Sequence, residues 1–213
     1  MRLVAVGNYF GAHRPFMSMF PNFKLIRIEE DFKFEKDDVV IFGGGADISP
    51  SIYKHKPSRH TGASERLSER DFHEVKHFKA AVESGAGIIG ICRGAQLACA
   101  LSGGSLIQHV DGHAGVPHKM TTVDGRNMVV SSVHHQMMNP EGSDHELIGY
   151  SSEILSGVHI VEGEKSIDVE TEPEVVYFKD TRALAIQYHP EFMDDRDEAV
   201  EYARQLVKEK FNV

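Results

Sequence analysis

Gly87-Ile88-Ile89-Gly90-Ile91-Cys92-Arg93-Gly94-Ala95-Gln96-Leu97-Ala98-Cys99-Ala100-Leu101-Ser102-Gly103-Gly104 reads as a buried strand that runs straight into a helix through one cysteine. Ile88 to Ile91 is a short apolar run suited to a strand covered on both faces, and Ala95 to Leu101 are good helix formers. Gly90 and Gly94, two residues either side of Cys92, let strand and helix approach while the central side chain is thrust outward, the pattern of a nucleophile elbow. A cysteine at a helix N-terminus meets unpaired N–H groups and the positive end of the macrodipole, which favour its thiolate. The N–H of Arg93 is then placed to hydrogen-bond an oxyanion formed at the attacked carbon. Cys92 is therefore the candidate nucleophile. An inert buried cysteine in a Gly-rich turn is the alternative that this stretch alone leaves open.

Outward from this centre, Leu3 to Val6, Lys24 to Ile28 and Asp38 to Phe42 read as strands of a mostly parallel sheet. The third runs into Gly43-Gly44-Gly45-Ala46-Asp47-Ile48-Ser49-Pro50, whose uncovered N–H groups suit an anion or oxyanion, although the Lys-Ser/Thr ending of a phosphate loop is missing. Lys54 to Ser68 is an aperiodic polar loop with the length of a lid. Glu69 to Ser84 carries Phe72, Val75, Phe78 and Val82 at near-helical spacing, and Gly85 ends it. Beyond Gly104 the chain becomes β-rich, with strand-like runs at 105–110, 119–123, 128–133, 146–150 and 158–162. An antiparallel pair is expected at 174–178 and 182–187, and a closing helix over 194–211.

The 213 residues fit one large α/β domain spanning 1–213. No apolar run has the length of a membrane helix, and the first strand begins where a signal peptide would stand, so a cytoplasmic protein is expected. Thirty-two acidic against twenty-three basic residues give a net charge of −9, which repels a nucleic-acid backbone. The two cysteines, Cys92 and Cys99, stand about 10 Å apart along one helix and cannot pair without unwinding it.

His189 and Glu191 occupy alternate positions, so an extended segment would put the carboxylate beside the imidazole that it orients. Glu191 would hold one ring nitrogen as donor, leaving the other to exchange a proton with Cys92 and the leaving amine. Thirteen histidines invite a metal, but His109-x-x-x-His113 contains the helix-breaking Asp111-Gly112, and neither it nor His134-His135 belongs to a His-Glu-x-x-His motif. Neither a metal nor an organic cofactor is expected.

Six motifs in order resemble the class I glutamine amidotransferase-like family, with most similarity to its γ-glutamyl-γ-aminobutyrate hydrolase branch. They are Gly44 to Pro50 with Tyr53, Arg70 to Glu74, Gly90 to Gln96, Gly103 to Gln108, Ser132 to Gln136 and Gln187 to Glu191. The resemblance implies a flavodoxin-like three-layer α/β/α fold with a β-rich second half, and a site at the carboxyl ends of the strands. It implies Cys92 as nucleophile, His189 as base and acid, Glu191 as orienter, and the N–H groups of Gly45 and Arg93 as oxyanion hole. Gln96 would hold a glutamyl group, and Ser132, Val133 and His134 would form the facing wall. Gly43, Cys99, Tyr188 and Ser131 depart from the family's pattern; none is expected to touch the triad, while Ser131 and Tyr188 are expected to alter substrate fit. The implied activity is hydrolysis of a small-molecule γ-glutamyl amide through a thioester. A glutaminase subunit feeding a synthetase, an amide-forming transferase and a catalytically silent binding module remain as alternatives. Self-association is left open.

Overall fold

The computed structural model describes residues 1–213, and its first half lays down a parallel block. Strands β1 (Arg2–Val6), β2 (Phe23–Ile26) and β3 (Asp38–Phe42) come first, followed by helix α1 (Glu69–Ser84), strand β4 (Gly87–Ile91) and helix α2 (Arg93–Leu101). The second half adds β5 (Ser105–Ile107), β6 (His109–Val110), β7 (His118–Thr122), β8 (Asn127–Val130), β9 (Met137–Asn139), β10 (His145–Ser151), β11 (His159–Glu162), β12 (Lys165–Ser166), β13 (Pro173–Phe178), β14 (Ala183–Ile186) and helix α3 (Glu198–Phe211). The main sheet has the order β2-β1-β3-β4-β14-β13-β10-β7-β8. From β2 to β14 every pairing is parallel, and from β14 to β8 every pairing is antiparallel. The sheet is thus mixed, and the β-rich half extends the parallel block along one edge.

Alternation explains why these strands read as continuous apolar runs. Leu3, Val39, Ile41, Ile89, Ile91, Leu184 and Ile186 pack with α3 on one face, while Val4, Val40, Phe42, Ile88 and Ala185 pack with α1 and α2 on the other. A strand buried on both faces has no polar side to show. This is the expected three-layer arrangement. No helix is long and apolar enough to cross a membrane.

Local signals set the ends of α1. Ser68 and Asp71 form a reciprocal capping box, and Gly85 closes the helix at φ +78°. Its inner face differs from the expected apolar row, because Phe72 is exposed while Asp71 and Glu74 are buried. The closing helix begins four residues later than expected. Asp194 to Asp197 instead form a turn in which Asp194 N–H donates to the Asp197 carboxylate at 2.9 Å.

Candidate active site

The carboxyl ends of three neighbouring parallel strands converge: β3 delivers the Gly43–Gly45 loop, β4 delivers Cys92, and β14 delivers His189. Ligands of open α/β sheets bind at this edge. Cys92 stands between β4 and α2 with φ 51° and ψ −106°, a conformation that L-residues rarely adopt. Its N–H donates to the Ile186 carbonyl at 2.8 Å, tying the elbow to β14. The flanking glycines are sterically required. A Cβ on Gly90 would strike the Gly94 carbonyl, and one on Gly94 would strike the carbonyl of Phe42.

His189 presents its ring between Glu191 and Cys92. Its Nδ1 is 2.8 Å from Glu191 Oε1, so Nδ1–H donates to the carboxylate. Burial pulls the imidazolium down, but the neighbouring Cys92 and Glu191 side chains outweigh it, and the value rises to about 10. The expectation of an extended His-Pro-Glu segment needs correction: Pro190–Phe192 is a single 3-10 turn, and it is this turn that brings Glu191 back to the ring. Phe192 stacks on the His189 imidazole at 4.5 Å between centroids, and Phe10 stands edge-on at 6.4 Å.

The glycine loop closes over this pair. A Cβ on Gly44 would lie 2.5 Å from His189 Cε1, and one on Gly45 would strike Arg70 Nη1, with Gly45 itself at φ +144°. Arg70 pins the loop by donating from Nη2 to the Gly43 and Gly44 carbonyls at 3.1 and 3.0 Å. Arg93 is almost wholly buried, and its guanidinium pairs with Asp71 at 2.6 Å and with Glu74. Glu74 in turn accepts from Arg70 at 2.8 Å. One buried ionic network thus ties α1 to the elbow and to the glycine loop. The motif at 70–74 flagged these residues, but local spacing gave no sign of their partners.

The residues of the expected wall turn most of their side chains inward. The His134 ring is buried, with Nδ1 2.9 Å from the Gln136 carbonyl and Nε2 turned toward Glu174, so it faces the interior. Ser132 donates its hydroxyl to the His113 carbonyl, and Gln96 donates its amide to the Gln136 carbonyl at 3.0 Å, so both brace the wall with their side chains. Val133 alone among the four is exposed. Ser131, placed away from the triad by sequence reasoning, touches it: its hydroxyl accepts from His189 N–H at 2.9 Å and donates to the His189 carbonyl at 3.0 Å. Tyr188 points the other way, donating to the Ala199 carbonyl at the start of α3, so it anchors that helix. Cys99 is fully buried on α2 and donates to the Ser105 carbonyl; burial pushes its thiol up.

The 54–68 loop is fastened at several points. Gln108 accepts from Ser58 N–H and from the Thr61 hydroxyl and donates to the Lys56 carbonyl, while Asp47 accepts from Gly62 N–H. A cavity of about 390 Å³ lies between this loop and the 46–47 segment and reaches Arg70, Asp71 and Arg93. Cys92 and His189 are not among its lining residues.

The fold is the α/β fold shared with solved glutamine amidotransferase structures. The profile of the Peptidase C26 family matches residues 33–191, and the chain belongs to that family. It is 27% identical over 174 residues to the glutamine amidotransferase-like protein YvdE of Lactococcus lactis, a match covering 72% of this chain and 66% of that relative. The chain thus spans slightly less than two thirds of that relative's length. A crystal structure of a glutamine amidotransferase from Thermotoga maritima superposes with a TM-score of 0.61 at 12% identity, covering 99% of this chain and 94% of the other. The structure of PurLQS from the same organism gives 0.55 at 13% identity, over 96% of this chain and 97% of its counterpart. At such identities the two structures speak for the fold.

Proposed function

We propose that the chain, acting as one amidotransferase-like domain, hydrolyses γ-glutamyl amide bonds through a glutamyl thioester on Cys92. The observation that carries this reading is the placement of His189 between Cys92 and Glu191 at a strained strand-to-helix elbow. Cys92 Sγ attacks the amide carbon, and the oxyanion forms against the N–H groups of Gly45 and Arg93. The C–N bond breaks as His189 gives its proton to the departing amine. Water then attacks the thioester, with His189 accepting its proton, and glutamate leaves as the thiolate returns. Membership of the Peptidase C26 family supports amide hydrolysis in general; the γ-glutamyl specificity is our reading.

Phe10 and Phe192, each more than half exposed, flank the His189 ring and form an apolar wall beside it. Such a wall favours the γ-glutamyl amide of an apolar amine over glutamine. The test is steady-state turnover of the purified chain with glutamine and with γ-glutamyl amides of larger amines, quantifying glutamate and amine. Efficient release from the larger amides supports the reading. Negligible turnover that rises manyfold with a co-purifying synthetase would replace it with a glutaminase subunit, and glutamyl transfer to added amines would replace it with a transferase.

A further inference from the structure

Away from the triad, four histidines and two glutamates are gathered in the interior of the β-rich half. His113, His134, Glu172 and Glu174 are almost completely shielded from solvent, as is the His118 side chain at 7% exposure. The tautomers follow from the partners. Glu172 accepts from Leu155 and Ser156 N–H and from His113 Nε2 and His159 Nε2, so His113 carries its proton on Nε2. His134 is 2.9 Å from the Gln136 carbonyl through Nδ1, which must therefore bear the proton. This leaves the lone pairs of His113 Nδ1 and His134 Nε2 without partners, each aimed at Glu174 Oε1 from 3.7 Å. Glu174 Oε2 is also unpartnered.

Two lone pairs and a carboxylate converging in a dry interior repel one another unless a cation stands between them. No Lys or Arg pairs with Glu172 or Glu174 in this network. Glu174 Oε1 already accepts from His118 Nε2 at 3.0 Å, and the 3.7 Å that separates it from His113 and His134 is too long for a hydrogen bond. The donor atoms of His113, His134 and Glu174 all lie within 4.8 Å of one another. Tetrahedral ligands at about 2.0–2.1 Å from zinc stand about 3.3 Å apart, so a contraction of up to about 1.5 Å brings these three donors to ligand spacing and leaves a fourth position open. The supports are those of a metal centre: His113 is held by a carboxylate and His134 by a backbone carbonyl, each through the ring nitrogen that faces away.

We propose that His113 Nδ1, His134 Nε2 and the Glu174 carboxylate bind one divalent transition metal of the zinc type, as a structural site. Each tempting histidine pair of the sequence contributes one member, and neither pair ligates together. The ion is taken up as the chain folds, because the ligands lie on separate segments and are buried. It locks the wall behind the candidate active site. His134 is in the 132–136 segment, and the Gln136 carbonyl that fixes its ring also receives Gln96. Gln187, directly opposite Glu174 on the β13–β14 hairpin, has both amide atoms unpartnered and can meet a fourth ligand. This inference does not rest on the proposed activity.

The experiment uses the full chain carrying Cys92→Ala, so that the elbow thiol cannot hold zinc. The protein is unfolded in guanidinium with a chelator and refolded with or without Zn²⁺, then desalted for elemental analysis and thermal melting. We expect one zinc per chain and a melting temperature several degrees higher in the zinc-refolded sample. Refolding with Co²⁺ should give the visible absorption of a tetrahedral site. Glu174→Gln and His113→Gln should each lower the bound metal to below a tenth of an equivalent. His109→Gln should leave it intact; His109 lies in a separate cluster with His60 and His135. Refolding that is indifferent to zinc, or metal lost with His109→Gln and kept with Glu174→Gln, overturns the proposal.

Discussion

Replacing Glu74 by Gln keeps the shape of the side chain and removes one charge from the network behind the elbow. Glu74 and Arg93 are buried to within 2% of complete shielding, and both Glu74 oxygens are engaged, one by Arg70 at 2.8 Å and one by Arg93. The amide leaves Arg93 with Asp71 alone and leaves Arg70 without its carboxylate. Removing one partner from a buried ion pair costs about 3–5 kcal/mol, because the remaining charge stays desolvated. For a chain of this size each kcal/mol lowers the melting temperature by about 2–4 °C, so a fall of about 6–20 °C is expected. Thermal and urea denaturation of Glu74→Gln measure it. The exposed Glu83→Gln on the same helix is the control, with a change within about 0.5 kcal/mol. Arg70 also holds the Gly43 and Gly44 carbonyls, so turnover should fall with stability. A melting temperature within about 2 °C of the unaltered chain would refute a network that works through buried charge.

Cys92→Ala should abolish hydrolysis and any trapped thioester, whereas Cys99→Ala should retain activity and lose about 1 kcal/mol of stability from a buried sulfur site; equal losses of activity would count against the assignment. Ser131→Ala removes both hydrogen bonds to the His189 backbone and should reduce kcat by roughly tenfold or more through misplacement of the ring, read against an unchanged far-UV spectrum. The imidazolium of His189 lies above its ordinary 6.5, so the stabilisation it carries is present below pH 6.5 and is lost as pH rises through about 10. The alkaline limb of the rate profile should therefore fall near 10. An alkaline limb near 6.5 would contradict the ion-pair description. Glu191→Gln should move the limb downward and weaken turnover, though less than His189→Ala; full activity at every pH would show the third member of the triad to be misassigned.

The sequence by itself determined the parallel block, the elbow and the family. Asp38–Phe42 and Glu69–Ser84 match their expected bounds because burial on both faces, a Ser68–Asp71 box and a terminal glycine are all written locally. Cys92 was legible for the same reason: the glycines that its tight turn needs lie two residues away. Only the tertiary structure decided where polar side chains point. Ser131 meets His189 across 58 residues, Arg93 meets Asp71 across 22, and His113 meets Glu172 across 59. Periodicity records whether a residue is buried, but a buried polar group's partner comes from another strand whose register is set by the whole sheet. That is why His134 could be expected on the substrate wall and yet turn its ring inward toward Glu174.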